Sequence, residues 1–407
     1  MTETRTSVLA EPVVLPCGAT LPNRLAKAGM SEQLATRDGR PTPELNRLYA
    51  TWGRGGAGLL VTGNVMIDRA ALVEPRNIIL DDERALPQIR AWSDAGRAAG
   101  SAVWMQINHP GRVATVPFTR RPVGPYASRE PVPGFNFRKP RELTGADIES
   151  LIRRYVRTAE LAIAGGFDGV QIHAAHGYLL AQFLSPLANT RGDRYGRDAA
   201  GRRRLLLEVV AAVRAALGPH VPISVKLNSK DFQRGGLDES ESLDVAVALA
   251  DAGIDVLEIS GGNYAAPAMT GVHHRSREAY FLDYGTRVRR LISTPLMLTG
   301  GLRSRDTMER IVHEGAVDII GMARPMAIVP DYPARILAGE PEPQLPTGPL
   351  HLGYRPADGY IQLAAHAAQL HRIGAGLSPL DGAGLGALAR SLGRLSLAAL
   401  TQATVPR

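Results

Sequence analysis

Eight short apolar segments, separated by helical patterns, constrain the fold of this chain more than any other feature of its sequence. Each segment is nearly continuous in apolar residues, which is typical of parallel strands buried on both faces of a sheet. The segments are Leu25–Ala28, Leu59–Thr62, Val103–Ile107, Gly169–His173, Ile223–Leu227, Val256–Ser260, Leu296–Thr299 and Asp318–Gly321. Alternation of eight strands with helices predicts an α/β fold, a (β/α)8 TIM barrel. A doubly wound parallel sheet is the alternative that the pattern leaves open.

Helical periodicity fills the intervals between these segments. In Asp147–Ala164 the apolar residues recur at the spacing of one helix face, and Thr144 precedes them as a capping residue. Further helices are predicted at Arg202–Leu217, Ser240–Ala252 and Arg305–Glu314. Two long connections, His109–Leu143 and Ala174–Gly201, follow strand ends, where barrel enzymes build their active sites.

A proline-rich segment, Pro341–Pro349, is typical of a linker. We therefore predict a barrel over residues 1–340 and a linker with a C-terminal helical tail over residues 341–407. Within the tail, Ala357–Ile373 predicts one helix, and the leucines from Leu385 to Leu397 predict a second amphipathic helix. The tail is expected to pack on the barrel or at a subunit interface, so that a homodimer or larger homo-oligomer stays open.

Composition excludes several classes of protein. The net charge of +8 comes from 47 basic and 39 acidic residues that are interleaved along the chain, whereas a nucleic-acid-binding protein concentrates its basic residues in one patch. No run of about 20 uncharged apolar residues predicts a membrane helix, and the absence of a signal-peptide pattern predicts a cytoplasmic location. The single cysteine, Cys17, excludes an internal disulfide and a cysteine-ligated iron–sulfur cluster.

Two motifs that suggest a function are better explained otherwise. Gly53–Gly58 matches the glycine pattern of a dinucleotide-binding loop, but that loop must follow a strand and open a helix. Here the order is reversed, so the glycines predict a helix stop and a tight turn. The pair His273–His274 lacks the spacing of a helical metal site, and no metal is predicted.

The end of the fourth predicted strand carries the strongest functional signal, the sequence from His173 through His176 to Tyr178. A barrel strand end places all three residues at the mouth, where they can face one pocket. Two imidazoles can donate hydrogen bonds to an oxygen that gains negative charge, and a tyrosine beside them can deliver a proton.

Polar or glycine residues also follow other strands. Ser31 and Gly63 lie past the first and second strands, while Gln106 and Lys226 lie near the ends of the third and fifth. An amide such as that of Gln106 can pair with a ring N–H and a C=O together. Lys226 supplies a positive charge, with a salt bridge inside the barrel as the alternative role.

The loops after the seventh and eighth strands contain Gly300, Gly301 and Arg324. Barrel enzymes often hold a phosphate on these two loops with backbone N–H groups. Glycines allow close approach of the backbone, and arginine can bind a phosphate through two parallel hydrogen bonds. Together these loops predict a phosphate-bearing ligand.

With these motifs the chain resembles, from about Pro12 to Gly339, the Old Yellow Enzyme family of FMN-dependent ene-reductases, also called NADH:flavin oxidoreductases. The motifs that carry the resemblance are Gly29–Ser31, Gln106–Arg112, His173–Leu179, Arg191–Gly196, Lys226–Asn228 and Gly321–Pro325. Ser31 stands where well-known members have cysteine or threonine.

The resemblance implies a role for each matching residue. The flavin ring would be contacted by Gly29, Met30, Ser31, Gly63, Gln106 and Lys226. The phosphate would be held by Gly300, Gly301, Ala323 and Arg324. His173 and His176 would bind the carbonyl or nitro oxygen of an activated alkene. Tyr178 would protonate the α-carbon of that alkene.

The implied activity is reduction of activated C=C bonds by NADPH or NADH in two half-reactions at one FMN site. Two other functions stay open: flavin-dependent oxidative demethylation or desaturation of a small amine or ketone, and a non-catalytic flavin-binding barrel. The sequence does not separate NADH from NADPH.

Overall fold

The computed structural model describes residues 7–115, 119–130, 132, 137–268, 278–343, 345 and 355–380, with residues 355–362 described by their backbone alone. Its central element is a set of parallel strands. In chain order they are β1 Leu25–Lys27, β2 Leu59–Val61, β3 Ala102–Asn108, β4 Gly169–Ala174, β5 Ile223–Asn228, β6 Val256–Ser260, β7 Leu296–Thr299 and β8 Ile319–Met322. These bounds agree with the predicted segments to within one or two residues.

The strands close into a barrel. Each pairs in parallel with the next, and β1 pairs with both β2 and β8, so that the sheet has no free edge at this point. The predicted (β/α)8 TIM barrel is therefore confirmed, and the doubly wound sheet is excluded because such a sheet is open. Since all strands run in the same direction, their carboxyl ends converge at one mouth.

Helices lie between the strands, as the periodicity predicts, and three more follow the last strand in the described residues. They are α1 Pro43–Arg54, α2 Leu86–Arg97, α3 Gly145–Ala164, α4 Leu179–Leu184, α5 Ala199–Leu217, α6 Glu239–Asp251, α7 Leu282–Arg289, α8 Arg305–His313, α9 Arg324–Ile328, α10 Tyr332–Ala338 and α11 Arg355–Gly374. At the start of α3, Thr144 accepts from the N–H of Asp147 at 3.2 Å, while Asp147 accepts from the N–H of Thr144 at 2.8 Å. This reciprocal pair is the predicted capping box, and it satisfies donors that the first turn leaves free.

Apolar side chains fill the barrel interior at the amino-terminal end of the strands. A hairpin of Val13–Val14 and Thr20–Leu21 lies at the amino-terminal end of the strands. Leu15 and Leu21 pack there against Trp104 and other inward-facing apolar residues. A second, larger cluster joins the outer strand faces to the helices. The lower barrel is thus a packed core, which leaves the mouth for polar residues.

The glycines after α1 form a turn, as predicted. The helix ends at Arg54, and Gly56 adopts a φ of +84°, a conformation that favours glycine. The N–H of Gly58 then donates to the carbonyl of Leu25 at 2.8 Å as the chain enters β2. The dinucleotide-loop interpretation is accordingly excluded by the structural context.

The tail contains the predicted first helix as α11, which lies against α1 and α9. Arg47 of α1 donates through Nε to the carbonyl of Gly374 at 2.7 Å.

The division at residue 340 stays a prediction, as do the cytoplasmic location and the homo-oligomer. The predicted second tail helix around Leu385–Leu397 and the pair His273–His274 lie outside the described residues. None of the described helices has the length and apolar character needed to cross a membrane.

Asp255, which is 1% exposed, ties three parts of the lower barrel together. Its carboxylate accepts from the N–H groups of Cys17 at 2.9 Å and Ile223 at 2.8 Å, and from the Arg214 guanidinium at 2.5 Å. Replacement by alanine leaves the N–H groups of Cys17 and Ile223 without this acceptor and removes the counter-charge of Arg214, whose guanidinium keeps only its backbone carbonyl acceptors. We expect Asp255→Ala to lower the free energy of unfolding by about 3–5 kcal/mol, measured by urea denaturation.

Asp94 provides the matched control, because its carboxylate is exposed and pairs with Arg97 on the surface of α2. Asp94→Ala should change stability by less than about 0.5 kcal/mol. Equal urea midpoints for the two variants would show that the Asp255 contacts do not stabilise the barrel.

Candidate functional site

Three aromatic side chains meet at the mouth, as the sequence predicts. His173 lies near the end of β4, and the chain turns directly after it because His176 and Gly177 both adopt positive φ, +60° and +76°. The His173 ring centroid lies 5.0 Å from that of His176 and 4.8 Å from that of Tyr178. A turn with backbone in this rarely adopted region is often found at functional sites.

His173 is held as a neutral hydrogen-bond donor. Its Nδ1 accepts from the N–H of Ala175 at 3.2 Å, so the neutral ring carries its proton on Nε2. Burial, and then the positive charge of Lys226, lower the pKa of His173 well below its ordinary value. The ring therefore offers an N–H without carrying a charge, and Nε2 has no partner within the described residues.

His176 is fixed by two contacts from neighbouring strands. Its Nε2 lies 2.7 Å from Oγ of Ser260 at the end of β6, and its backbone N–H donates to Oδ1 of Asn228 at 3.1 Å. Burial, Lys226 and His173 lower its pKa well below the ordinary value. Because Nε2 is engaged, Nδ1 is the nitrogen of His176 that is left for a ligand.

Tyr178 is 8% exposed, and its hydroxyl lies 3.4 Å from Nδ2 of Asn64 and 3.3 Å from the hydroxyl of Tyr264. Burial, followed by the negative charge of Glu74, raises the pKa of Tyr178 above its ordinary value. The phenol therefore keeps its proton, and its ring packs edge-on against the imidazole of His173.

A polar network lies below these rings inside the barrel. The buried carboxylate of Glu258 accepts from Nζ of Lys226 at 2.7 Å, Nε2 of Gln171 at 2.8 Å and Oγ1 of Thr299 at 2.8 Å. Gln171 in turn accepts from Nε2 of Gln106 at 2.8 Å. Lys226 thus forms the salt bridge inside the barrel that the sequence analysis gave as its alternative role. Lys226 and Gln106, two of the predicted site residues, belong to one hydrogen-bond network.

Glu258 and Gln171 were not identified from the sequence. The available signal was the presence of a polar residue inside each of two otherwise apolar strand segments. An ionisable residue within a buried strand requires a partner, and the partner of Glu258 is Lys226.

The loops after β1 and β2 approach closely at glycines. A Cβ on Gly29 would lie 2.7 Å from Nε2 of Gln106 and 2.9 Å from the carbonyl oxygen of Thr62. A Cβ on Gly63 would collide with the carbonyl oxygen of Met30 and the carboxylate of Glu32. Gly29, Met30 and Gly63 therefore form one tight backbone layer, which a side chain at either glycine would disrupt.

Glu32 ties these loops to a second buried lysine. Its Oε1 accepts from the N–H of Gly63 at 2.9 Å and from the hydroxyl of Tyr49 at 2.5 Å, and it lies 3.6 Å from Nζ of Lys27. Lys27 also lies 4.5 Å from the ring of Trp52, and burial lowers its pKa to about 8. Sequence reasoning missed this group, although a lysine within the first apolar segment was a signal of the same kind as Glu258.

Ser31 contacts the acidic residue Glu74, and no local sequence pattern predicts this contact. Its hydroxyl donates to Oε2 of Glu74, which also accepts from Nε2 of Gln33 at 2.8 Å. Burial raises the pKa of Glu74. Because 43 residues separate Ser31 from Glu74 in the chain, only the folded structure brings them together.

The predicted phosphate loops present backbone and an arginine. Gly300 and Gly301 have φ of +147° and +76°, and a Cβ on Gly300 would lie 2.8 Å from the ring of Phe281. Arg324 begins α9 directly after Ala323, and its guanidinium has no acidic partner within the described residues. Burial, and then the charge of Arg303, lower the pKa of Arg324. Arg303 itself pairs with Glu278 at 3.4 Å, so Arg324 is the cation that an anionic ligand would balance.

These features fit a bound FMN. The amide of Asn108, on the same face of β3 as Gln106, is fully buried, and neither its Nδ2 nor its Oδ1 has a partner. Buried polar atoms of this kind are normally satisfied, in many sites by a ligand or water. The glycine layer, the unpartnered Asn108 and the unpaired Arg324 together suit a molecule with a polar ring and an anionic end. No three His, Cys, Asp or Glu side chains in the described ranges converge as metal ligands.

Comparisons with known proteins agree with this geometry. The model of the NADH:flavin oxidoreductase / NADH oxidase family matches residues 9–342. The NADH-dependent flavin oxidoreductase iccE of Talaromyces variabilis is 35% identical over 382 residues, covering 87% of this chain and 92% of that protein. The NADPH dehydrogenase of Bacillus licheniformis is 30% identical, covering 78% of this chain and 90% of that protein. The solved old yellow enzyme homologue from Zymomonas mobilis has a TM-score of 0.72 and 27% identity, covering 83% of this chain and 94% of that one.

The neutral state of the two site histidines can be tested by NMR. An ordinary histidine titrates near about pH 6.5, whereas the pKa values of His173 and His176 lie well below theirs. We expect their ring signals to stay constant between about pH 6 and 8. His173→Gln and His176→Gln identify the signals by their disappearance. A midpoint inside this range for either residue would contradict the assignment.

Proposed function

Because this chain belongs to the NADH:flavin oxidoreductase / NADH oxidase family, and is thus an NAD(P)H-dependent flavin oxidoreductase of the Old Yellow Enzyme type, we propose that it reduces activated C=C bonds. The proposed substrates are small α,β-unsaturated carbonyl or nitro compounds. FMN held at this site would supply the hydride-transfer chemistry between NADH or NADPH and the substrate. The protein residues bind and orient the substrate and supply its proton.

The observation that carries this proposal is the contact of a neutral His173 ring with a protonated Tyr178. His173 offers Nε2–H to the carbonyl or nitro oxygen. His176 offers Nδ1–H to the same oxygen, because Oγ of Ser260 donates to its Nε2. A hydrogen bond to this oxygen withdraws electrons from the conjugated C=C bond, so that its β-carbon becomes electrophilic. Neutral imidazoles achieve this without requiring a counter-ion in the pocket.

Tyr178 then supplies the proton for the α-carbon. Asn64 and Tyr264, which approach its hydroxyl at 3.4 Å and 3.3 Å, orient the phenol. Since burial raises its pKa, the phenol stays protonated until the substrate gains electron density. A general acid placed in this way contributes about 100-fold to 10,000-fold to the rate.

The remaining site residues are assigned to FMN. For the ring we propose Gly29, Met30, Ser31, Gly63, Gln106 and Lys226, and for the phosphate Gly300, Gly301, Ala323 and Arg324. Both polar groups of the Gly63 backbone already have partners, since its N–H donates to Glu32 and its carbonyl accepts from Thr62 at 2.8 Å. Gly63 is therefore assigned a packing contact with the ring edge, while Gln106 and Lys226 supply hydrogen bonds and charge.

Tyr178→Phe removes the proton donor and keeps the ring that packs against His173. We expect reduction of 2-cyclohexenone by the reduced enzyme to slow by about 100-fold or more. Reduction of the bound flavin by NADH or NADPH should change little, because that step needs no proton from Tyr178. Anaerobic stopped-flow measurement of flavin absorbance separates the two half-reactions.

Tyr126→Phe is the matched control, because Tyr126 is 42% exposed and contacts neither histidine. Unchanged enone turnover in Tyr178→Phe would exclude the proton-donor role. Negligible enone turnover in the wild-type protein, with rapid reduction of its flavin by a small amine or saturated ketone, would instead favour the oxidative direction.

A further inference from the structure

Helix α11 lies entirely beyond the residues that match the family model, yet it lies against parts of the site. It contacts α9, which begins with Arg324, and α1, which follows the loop that contains Ser31 and Glu32. The bond between Arg47 and the Gly374 carbonyl fixes its end, and a Cβ on Gly374 would lie 2.9 Å from the carbonyl oxygen of Glu44. The tail is therefore closely packed on the barrel beside the predicted cofactor site.

His371 of α11 bonds directly to a site loop. Its Nε2 lies 2.9 Å from the carbonyl oxygen of Glu32, and a carbonyl only accepts, so Nε2 carries the proton and donates. The carboxylate of this same Glu32 accepts from the N–H of Gly63. One turn of α11 is thus held against the backbone layer that contains Gly29, Met30 and Gly63.

His366 lies five residues earlier on α11, the helix that packs against α9, which Arg324 begins. The side chain is half-buried. Burial, and then the charge of Arg324, lower the pKa of His366 to about 4. Within the described residues, neither the His366 ring nor the Arg324 guanidinium has a hydrogen-bond or acidic partner. Two basic side chains therefore lie on packed helices, and neither has a carboxylate partner within the described residues.

We propose that His366 is a further FMN-binding residue, contributed by the tail, that donates a hydrogen bond to the cofactor phosphate beside Arg324. This inference rests on the assignment of Gly300, Gly301 and Arg324 to the phosphate. A phosphate carries at least one negative charge at neutral pH and accepts several hydrogen bonds. It therefore satisfies the imidazole N–H and balances the arginine in one step. His371 and Arg47 act as positioning residues that hold α11 in place.

Comparison of FMN with riboflavin isolates the phosphate, because riboflavin has the same ring and ribityl chain without it. Apoprotein is titrated with each flavin, and quenching of flavin fluorescence gives the two dissociation constants. We expect His366→Ala to weaken FMN binding by about 10-fold to 100-fold, the effect of losing a hydrogen bond to a charged group. Riboflavin binding should stay within about 2-fold of the wild type. His366→Gln, which keeps an N–H donor, should recover part of the FMN affinity.

Two further variants make the outcome decisive. His313→Ala removes an exposed histidine on α8 and should bind both flavins like the wild type. Arg324→Ala tests the phosphate site itself and should also weaken FMN binding selectively. If Arg324→Ala is selective and His366→Ala is not, the phosphate site stands and the tail contact is wrong. If neither is selective, the phosphate assignment and this inference both fall.

Equal weakening of FMN and riboflavin by His366→Ala would indicate a packing role and overturn the proposal. Far-UV circular dichroism of each apoprotein checks the fold before titration. If His366→Ala fails to fold, His366→Gln and His366→Asn carry the test. Wild-type ratios of FMN to riboflavin affinity in both would then exclude a phosphate contact, because an altered side-chain geometry cannot reproduce the imidazole bond unchanged.

Discussion

The polar half of the barrel depends on the buried carboxylate of Glu258. A buried ion pair is stable only when further hydrogen bonds satisfy its charged atoms, and Lys226, Gln171 and Thr299 all donate to this carboxylate. Through Gln171 the network reaches Gln106. Burial, and then the charge of Lys226, lower the pKa of both site histidines. One anion thus holds the lysine whose charge adds to burial in keeping the imidazoles neutral.

Strand register converts this pairing into a site. Lys226 of β5 lies opposite His173 of β4 on one side and opposite Glu258 of β6 on the other. Residues two apart on a strand share a face, so Asn228 and Ser260 lie one level above Lys226 and Glu258, where they fix His176. A shift of one residue in either pairing would turn these side chains out of the barrel. The geometry of the candidate site is therefore a consequence of the same hydrogen bonds that close the sheet.

The sequence predicted the parts of this molecule that depend on neighbouring residues. Apolar runs gave all eight strands, and the capping pair Thr144 and Asp147 gave the start of α3, because both signals are local. The cluster of His173, His176 and Tyr178 was also predicted, since one strand end carries all three. The contacts of Ser31 with Glu74 and of His371 with Glu32 could not be predicted, because they join residues 43 and 339 positions apart. Such contacts are set by the packing of loops and helices, which leaves no periodic trace in the sequence.

The distribution of charge across the mouth explains why the two ends of the site differ. At one end, two buried lysines each have a carboxylate, Lys27 with Glu32 and Lys226 with Glu258, so that this region is close to neutral and rich in hydrogen-bonding groups. At the other end, Arg324 has Arg303 nearby and no acidic partner among the described residues. A neutral polar ring matches the first region, and an anion matches the second. Because desolvating an unpaired arginine is costly, the protein without its ligand retains an unfavourable electrostatic term at the second end. In the proposed assignment a phosphate would remove that term on binding, so that the anionic end of the cofactor would contribute affinity while the paired lysines tune the reactivity of the ring.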